Sequence, residues 1–293
     1  MLALNQYDVP NARRLFRESL AVYRRHHHDR GVAWVLIHLS WLCLDMGRLK
    51  AAHRFLRDGL TGCERLGDQH GIARCQNLLG YLAWQEGDLN KSRELHQQSL
   101  ALHRELGDRW GTAWALHRLS VTLLHLAEHG QVEASSVRPL IEEGLAIWQE
   151  LGERRHFAFA LSDRGAVATL ERDLELAGRW LTESYAIFAE LEDLNGMVWV
   201  LLAKQLLLAT AGHLESALRV CGAVYALRGG RDDRIPVPFQ LRVERQLLLA
   251  RKVLGTEVVA TAWAEGQAMS LPEAIAYAQR AGAFVDGESV LAD

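Results

Sequence analysis

The sequence predicts an all-α protein, built as a solenoid of stacked helix pairs. Three observations support this prediction. Similar segments recur about every 40 residues, apolar side chains within each unit follow helical spacing, and only five prolines occur in 293 residues. A proline inside a helix costs about 3 kcal/mol, so long tracts without proline favour helices.

The recurring segments align on one position near the start of each unit. The segments are DRGVAW (29–34), GDQHGIA (67–73), GDRWGTAW (107–114), GERRHFAF (152–159) and EDLNGMVW (192–199). Their equivalent residues are Gly31, Gly71, Gly111, His156 and Gly196, which lie 40 or 45 residues apart. A period of this length indicates a repeat architecture, in which neighbouring units bury each other's apolar faces.

The unit at 67–106 shows its two helices most clearly. The first helix has one apolar stripe at helical spacing, formed by Ile72, Cys75, Leu79 and Leu82. Gly87 permits the left-handed turn that ends this helix, and Asp88 is placed to cap the second helix, which extends to about Leu106. Neither helix can bury its stripe alone, so we expect the pairs to stack.

The period predicts two regions. Repeats occupy residues 1–229, with a half unit at 5–28 and full units at 29–66, 67–106, 107–151, 152–191 and 192–229. Capping helices occupy residues 230–293. The half unit lacks its first helix, so its apolar face needs a cover. We expect either that the chain is a fragment of a longer protein or that the half unit pairs with another copy.

The unit at 107–151 carries five extra residues. We predict that 127–135 forms a projecting loop and that Ser136 caps the helix after it. Pro139 then lies in the first turn of that helix, where proline is tolerated.

The C-terminal region predicts three further helices. One extends from about Pro238 to Leu254, and Gly266 is expected to end the next. Ser270 and Glu273 match a capping box at the start of the third. We expect these helices to cover the end of the solenoid.

Arg164 and Lys204 stand where the repeat pattern expects a core leucine. A buried, unpaired cation is costly. Either both side chains reach an edge of the fold with their charged ends, or their units are rotated or locally open at these positions.

The pairs Leu79-Gly80, Gly87-Asp88 and Ser99-Leu100 resemble the tetratricopeptide repeat in its longer, 40-residue form. The resemblance covers about residues 5–229. It implies a right-handed, tetratricopeptide-like α-solenoid with a C-terminal helical cap, in which the first helix of each unit lines a concave groove.

The C-terminal segments VCGAVYALRGG, PFQLRVERQLLLARKVLG and AWAEGQAMSLPEAIAYA resemble the end of a group of bacterial regulators. In that group, tetratricopeptide repeats follow a STAND-class nucleotide-binding module, often joined to a LuxR- or AfsR-type DNA-binding domain. The resemblance implies a sensor or scaffold arm in transcription regulation or signal transduction. This sequence has no GxxxxGK[ST] loop and no basic recognition helix, so we expect no direct nucleic acid contact by this segment.

Composition narrows the remaining functions. The net charge of −3 provides no general attraction for DNA or anionic membranes, and no apolar run reaches the ~18 residues of a membrane span. The N-terminus does not resemble a secretion signal, and the four cysteines form no CxxC motif, so we expect a cytoplasmic protein.

The adjacent residues His26, His27 and His28 cannot converge from one helical face, so we predict a solvated loop and no metal site.

We expect no catalysis and no cofactor, because the sequence lacks GxSxG, HExxH and dinucleotide-binding motifs. The predicted site is the concave groove. Its candidate residues are Trp34, His38, Trp41, Arg74, Asn77, Tyr81, Trp114, His117 and Arg118. Rigid aromatic side chains beside polar groups suit a protein or peptide partner, or a small-molecule effector. The tryptophans could equally fill the wedge between units, whereas Arg74 and Arg118 could hold an acidic group.

Two functions therefore compete. The first is a non-catalytic binding arm of a bacterial signalling or transcriptional regulator. The alternative is a free-standing adaptor that assembles other proteins, or itself through the half unit. The reading frame upstream of Met1 discriminates between them, because a nucleotide-binding module there favours the first.

Overall fold

The computed structural model describes residues 9–228 and 236–283, which contain fourteen α-helices. The first seven are α1 (Val9–Arg25), α2 (Asp29–Asp45), α3 (Leu49–Leu66), α4 (Gln69–Glu86), α5 (Leu89–Glu105), α6 (Arg109–Glu128) and α7 (Arg138–Glu150). The others are α8 (Arg154–Leu170), α9 (Leu174–Glu190), α10 (Leu194–Thr210), α11 (Leu214–Leu227), α12 (Val237–Leu254), α13 (Thr256–Ala268) and α14 (Leu271–Ala283). The predicted boundary at residue 229 and residues 5–8 of the half unit lie outside the described residues, so those bounds stay predictions.

The glycine that marks the repeat is explained by close helix packing. A Cβ atom added at Gly71, Gly111 or Gly196 would lie 2.3, 2.1 or 2.1 Å from a side chain of the preceding helix. These neighbours are Cys63, His103 and Phe188. His156 replaces the glycine in the fourth unit, and there its ring stacks on Trp148 with centroids 4.7 Å apart. The small residue therefore lets consecutive helices approach each other at equivalent points.

The chain divides into two compact units within α6, Met1–Leu119 and Ser120–Asp293. The core of the first unit lies among α2, α3 and α4 and includes Ile37, Leu44, Leu56, Leu78 and Leu82. Burial of each leucine-sized side chain contributes about 1.5–3 kcal/mol, so this core is the main source of stability in the unit.

The second unit has its own core among α8, α9 and α10. This core includes Ala158, Leu181, Phe188, Val200 and Leu207. The C-terminal helices α13 and α14 pack against α11, and α14 also packs against α10. No helix in the described part of the chain is long and apolar enough to cross a membrane.

Two local predictions around residue 130 are wrong. Ser136 does not cap α7, because it lies in a short 3-10 turn (Ala134–Ser136) and donates its hydroxyl to the Glu133 carbonyl at 2.6 Å. The projecting loop is also shorter than predicted, since α6 continues to Glu128. Pro139 does lie in the first turn of α7, as predicted.

The C-terminal region gives one confirmation and one correction. The capping box is confirmed, because the Ser270 backbone N–H and hydroxyl donate to Glu273 Oε2 at 2.8 and 2.7 Å. Gly266 does not end its helix, which continues to Ala268. Its lack of a side chain instead allows α13 to cross α11 closely, as the Arg219 carbonyl oxygen lies 2.0 Å from an added Cβ.

The two unexpected cations differ in environment. Arg164 is half-buried, pairs with Glu142 at 2.9 Å and lies over the Trp180 ring at 4.0 Å. This arrangement agrees with a side chain that reaches an edge of the fold. Lys204 is buried, with only 7% of its surface exposed, so the edge interpretation does not apply to it.

Candidate binding face

The candidate residues of the first unit lie on the first helices of three consecutive repeats, which are α2, α4 and α6 up to Leu119. They occupy equivalent faces of these helices. We call this set the aromatic–cationic face, formed by Trp34, His38, Trp41, Arg74, Tyr81, Trp110, Trp114 and Arg118. Helical spacing explains the set, because residues three and four apart lie on one side of a helix. Most of these side chains are half-buried, which leaves part of each accessible to a partner.

Arg74 lies between two indoles. Its guanidinium carbon is 4.8 Å from the Trp110 ring centroid and 6.0 Å from the Trp41 centroid. Among residues 9–228 and 236–283, no carboxylate lies within 4 Å of Arg74. Burial and the charge of Arg118 lower the pKa of Arg74 to about 10, and Asp108 offsets only part of this. The guanidinium is thus held by stacking, with its hydrogen-bond donors not used by a carboxylate of the described chain.

Arg118 makes a second cation–π cluster on the same face. Its guanidinium carbon lies 3.9 Å from the Tyr81 ring centroid and 4.6 Å from the Trp114 centroid. Trp114 itself is buried, with 7% of its surface exposed, and is tilted against His117. The two clusters together place two cations among four aromatic rings. Such a surface favours a partner that offers an anionic group and apolar contacts.

Asn77 lies one turn after Arg74 on α4 and is fully buried. Neither its amide oxygen nor its amide nitrogen forms a hydrogen bond with any described residue. A buried polar group without a partner costs about 1–3 kcal/mol. An unsatisfied amide one helical turn from Arg74 therefore indicates a position where a water molecule completes the hydrogen bonding.

His38 lies in an aromatic stack at one end of the face. Its ring is parallel to that of Phe16, with centroids 5.5 Å apart, and is tilted against Trp34 at 6.1 Å. Burial and the nearby charge of Arg74 lower the pKa of His38 to about 4. The imidazole is therefore neutral at pH 7 and adds no positive charge to the face.

Trp34 contributes to the contact between units. Its indole Nε1 donates to Asp68 Oδ2 at 2.9 Å, and Arg30 Nε donates to the same oxygen at 3.0 Å. Asp68 also caps α4, because its other oxygen accepts from the Gly71 backbone N–H at 3.2 Å. For Trp34, the structure thus favours the packing interpretation over a role in binding.

The structure brings most of the predicted residues onto one face but changes their roles. Trp41 and Arg74 form one half-buried pair and Tyr81 and Arg118 form another, whereas Asn77, Trp114 and His117 are buried. Sequence reasoning missed Trp110, which covers Arg74. The signal was present in the segment DRWGTAW, where Trp110 precedes Trp114 by one helical turn and stacks on it at 5.6 Å.

We predict that His38 makes stability depend on pH. The folded-state pKa of about 4 lies below the ~6.5 of an unfolded histidine, so the unfolded chain binds a proton first as the pH falls. The free energy of unfolding should therefore drop by about 2 kcal/mol between pH 7 and pH 5 through this group. Urea denaturation of the wild type and of His38→Gln at both pH values measures it, since the variant lacks this contribution. An NMR titration midpoint near 6.5 for the His38 ring would contradict the prediction.

Comparison with known proteins identifies the repeat. Two tetratricopeptide-repeat family models match residues 2–65 and 72–106. Three curated relatives, named as HTH-type transcriptional regulators, are each 37% identical over 129 residues. One is from Mycobacterium bovis and two are from strains of Mycobacterium tuberculosis. The aligned segment covers 43% of this chain and 14% of each relative, so the chain corresponds to a small part of those proteins.

A solved structure supports the fold. The crystal structure of BtubC (BKLC) from P. vanneervenii matches with a TM-score of 0.51 and 16% identity, over 86% of this chain and 93% of that chain. At this identity the likeness shows the fold alone. The predicted fold class, an all-α tetratricopeptide-like solenoid, is confirmed. Residues 2–65 and 72–106 thus match tetratricopeptide-repeat models, and the chain resembles, over part of its length, a segment of HTH-type transcriptional regulators.

Proposed function

We propose that the chain is the protein-binding repeat arm of a bacterial transcriptional regulator, and that the aromatic–cationic face binds an acidic peptide segment of a partner. Tetratricopeptide repeats generally bind proteins or peptides, and the relatives named above are transcriptional regulators. In this role the arm works in the cytoplasm and performs no catalysis. The partner contacts the repeats, and other parts of the regulator contact DNA.

The observation that carries the proposal is the environment of Arg74. Its guanidinium lies over Trp110, no described carboxylate lies within 4 Å, and the unsatisfied amide of Asn77 is one turn away. A peptide carboxylate placed here would accept hydrogen bonds from Arg74 while its neighbours contact Trp41 and Tyr81. Charge-assisted hydrogen bonds of this kind are about twice as strong as neutral ones. The negative charge would also relieve the repulsion between Arg74 and Arg118.

One observation favours the alternative of a self-assembling adaptor. Leu15, Val22 and Tyr23 of α1 are 43%, 49% and 36% exposed. An apolar stripe on the half unit suits contact with another copy or another helix. This contact would lie on α1, so it is compatible with peptide binding on α2 and α4.

The proposal is tested with acidic peptides. A library of fluorescein-labelled, Asp- and Glu-rich 12-residue peptides is screened against the full chain, and the tightest binder is measured by fluorescence anisotropy. We predict that Arg74→Ala or Tyr81→Ala weakens this binder by about 1–3 kcal/mol, or roughly 5- to 150-fold.

The matched control is Arg65→Ala, which removes an exposed arginine that pairs with Asp29 on the surface of the same unit. This variant should bind as the wild type does, because it loses the same charge away from the face. Unchanged affinity in Arg74→Ala, with helical circular dichroism intact, rejects the proposal.

A further inference from the structure

In the second unit, helix α12 covers a face made by the first helices of three consecutive pairs. We call this face the α12 site. It is formed by Leu124, His125 and Glu128 of α6, Ser162 of α8, and Trp199 and Leu206 of α10. Trp199 occupies the repeat position that Trp34 and Arg74 occupy in the first unit. The α12 site is therefore the counterpart, in the second unit, of the aromatic–cationic face.

Two side chains, three residues apart on one side of α12, enter the α12 site. The Phe239 ring meets the rings of His125 and Trp199 edge-on, with centroids 5.0 and 5.7 Å apart. Arg242 Nε donates to Glu128 Oε2 at 2.8 Å, and its Nη2 donates to the other carboxylate oxygen. The contact is thus an aromatic anchor beside a bidentate ion pair.

The Arg242–Glu128 ion pair is buried, so the α12 site discriminates against an occupant that lacks a cation at this point. The Arg242 and Glu128 side chains are only 8% and 5% exposed. Burial alone would raise the pKa of Glu128, but the charge of Arg242 holds it below its ordinary value. Burial lowers the pKa of His125 to about 3, so this ring is neutral and its Nδ1 faces Arg242 Nη2 at 3.5 Å. An occupant without a cation at this point would leave the Glu128 charge buried and unpaired.

The surface of α12 is unusual for a permanent capping helix, because it buries an arginine and exposes several large apolar side chains. Its buried residues are Pro238, Phe239, Arg242 and Ala250. Meanwhile Leu241, Leu248, Leu249 and Val253 are 42%, 59%, 51% and 63% exposed. A helix held by apolar burial would face its leucines inward and its arginine outward. The C-terminal half of α12 packs against Leu218, Val259 and Ala262 through Leu247, Ala250 and Leu254. In its N-terminal half, by contrast, the two anchors Phe239 and Arg242 hold α12 in the site.

The fit of α12 in its site is incomplete. A cavity of about 40 Å³ remains between the helix and the site. The Ser162 hydroxyl, which lines this cavity, is buried and forms no hydrogen bond with any residue in the described ranges. A cavity of this size holds a water molecule or a small polar group. The site thus has hydrogen-bonding capacity that α12 does not use.

We infer that the α12 site is a binding site for an amphipathic helix with an aromatic residue three positions before an arginine, and that α12 occupies it as a displaceable internal ligand. The Phe239 and Arg242 pair defines the recognised chemistry. Because α12 is joined to α11 by the chain, its effective concentration at the site is about millimolar, so a partner helix must bind more tightly or α12 must be weakened.

The test uses the full chain and a fluorescein-labelled peptide with the sequence of residues 236–254. The double variant Phe239→Ala, Arg242→Ala removes the internal anchors and should bind the peptide at least about tenfold more tightly than the wild type. The control variant Leu248→Ala, Leu249→Ala changes exposed residues of the same helix and should match the wild type. The increase in peptide affinity should be lost when Glu128→Gln is added to the anchor variant, or when the peptide carries Arg242→Glu.

Equal peptide binding by all three proteins, or none by an anchor variant with intact helical circular dichroism, overturns the inference. Hydrogen exchange of the wild type provides a test that needs no variant. Amides of α12 should exchange at least about tenfold faster than those of α10, because α12 leaves its site without unfolding of the core. Equal protection of the two helices would show that α12 is a fixed cap.

Discussion

Replacing Gly266 with alanine should lower the free energy of unfolding by about 3 kcal/mol. A Cβ added at Gly266 would lie 2.0 Å from the Arg219 carbonyl oxygen of the facing helix. The reciprocal contact is also close, because a Cβ added at Gly222 would lie 2.4 Å from the Trp263 carbonyl oxygen. Both neighbours are backbone atoms, so no side-chain rotation can relieve the overlap. Helices α11 and α13 must separate, although alanine favours the helix by up to about 1 kcal/mol.

Thermal and urea denaturation of the full chain measure this effect. The control is Gln267→Ala, which changes the next residue of α13, where the side chain is exposed. We expect this control to remain within about 0.5 kcal/mol of the wild type. If Gly266→Ala is as stable as the control, the crossing of α11 and α13 is not as close as described.

Replacing Asp68 with alanine should lower the free energy of unfolding by about 2 kcal/mol. The change removes the cap of α4, which contributes about 1 kcal/mol, and leaves the indole N–H of Trp34 without its acceptor. Burial would raise the pKa of Asp68, but hydrogen bonds from Trp34 and Gly71 and the charge of Arg30 hold it below its ordinary value. The contribution is thus complete above the unfolded-state pKa of ~3.9 and is lost as the pH falls through the folded-state pKa.

Asp88→Ala is the matched control, because Asp88 caps α5 through one hydrogen bond to the Lys91 backbone N–H at 3.0 Å and is otherwise exposed. It should cost only the capping contribution, about 1 kcal/mol. Urea denaturation at pH 7 compares the two variants. Equal losses would mean that the bonds from Trp34 and Arg30 to Asp68 add nothing to stability.

The repeating features of the fold could be read from the sequence because they depend on residues close together in the chain. Gly87 adopts φ of 88° and ends α4, and Asp88 caps α5, as predicted. Ser270 and Glu273 lie three residues apart and form the predicted box. In each case the partner groups are within one helical turn, so residue type and spacing are sufficient.

The features that periodicity missed depend on contacts between distant segments. Glu128 and Arg242 are 114 residues apart, and neither departs from the pattern of an exposed helical charge. Gly266 was likewise predicted to end a helix from its residue type alone. In the structure it instead allows the backbone of Arg219, on another helix, to approach closely. The candidate site stays a prediction, and the sequence did not show that the Arg74 guanidinium lies over the Trp110 ring or that Asn77 is buried without a hydrogen bond.

The central claim is that a partner binds on the aromatic–cationic face, and hydroxyl-radical footprinting tests it most directly. The full chain is oxidised with and without the tightest acidic peptide, and oxidation of each aromatic side chain is measured by mass spectrometry. We predict that the peptide protects Trp41, Tyr81 and Trp110, while Trp180, which lies under Arg164 in the second unit, is unaffected. Protection of Trp180 with none at Trp41, Tyr81 and Trp110 would contradict the claim.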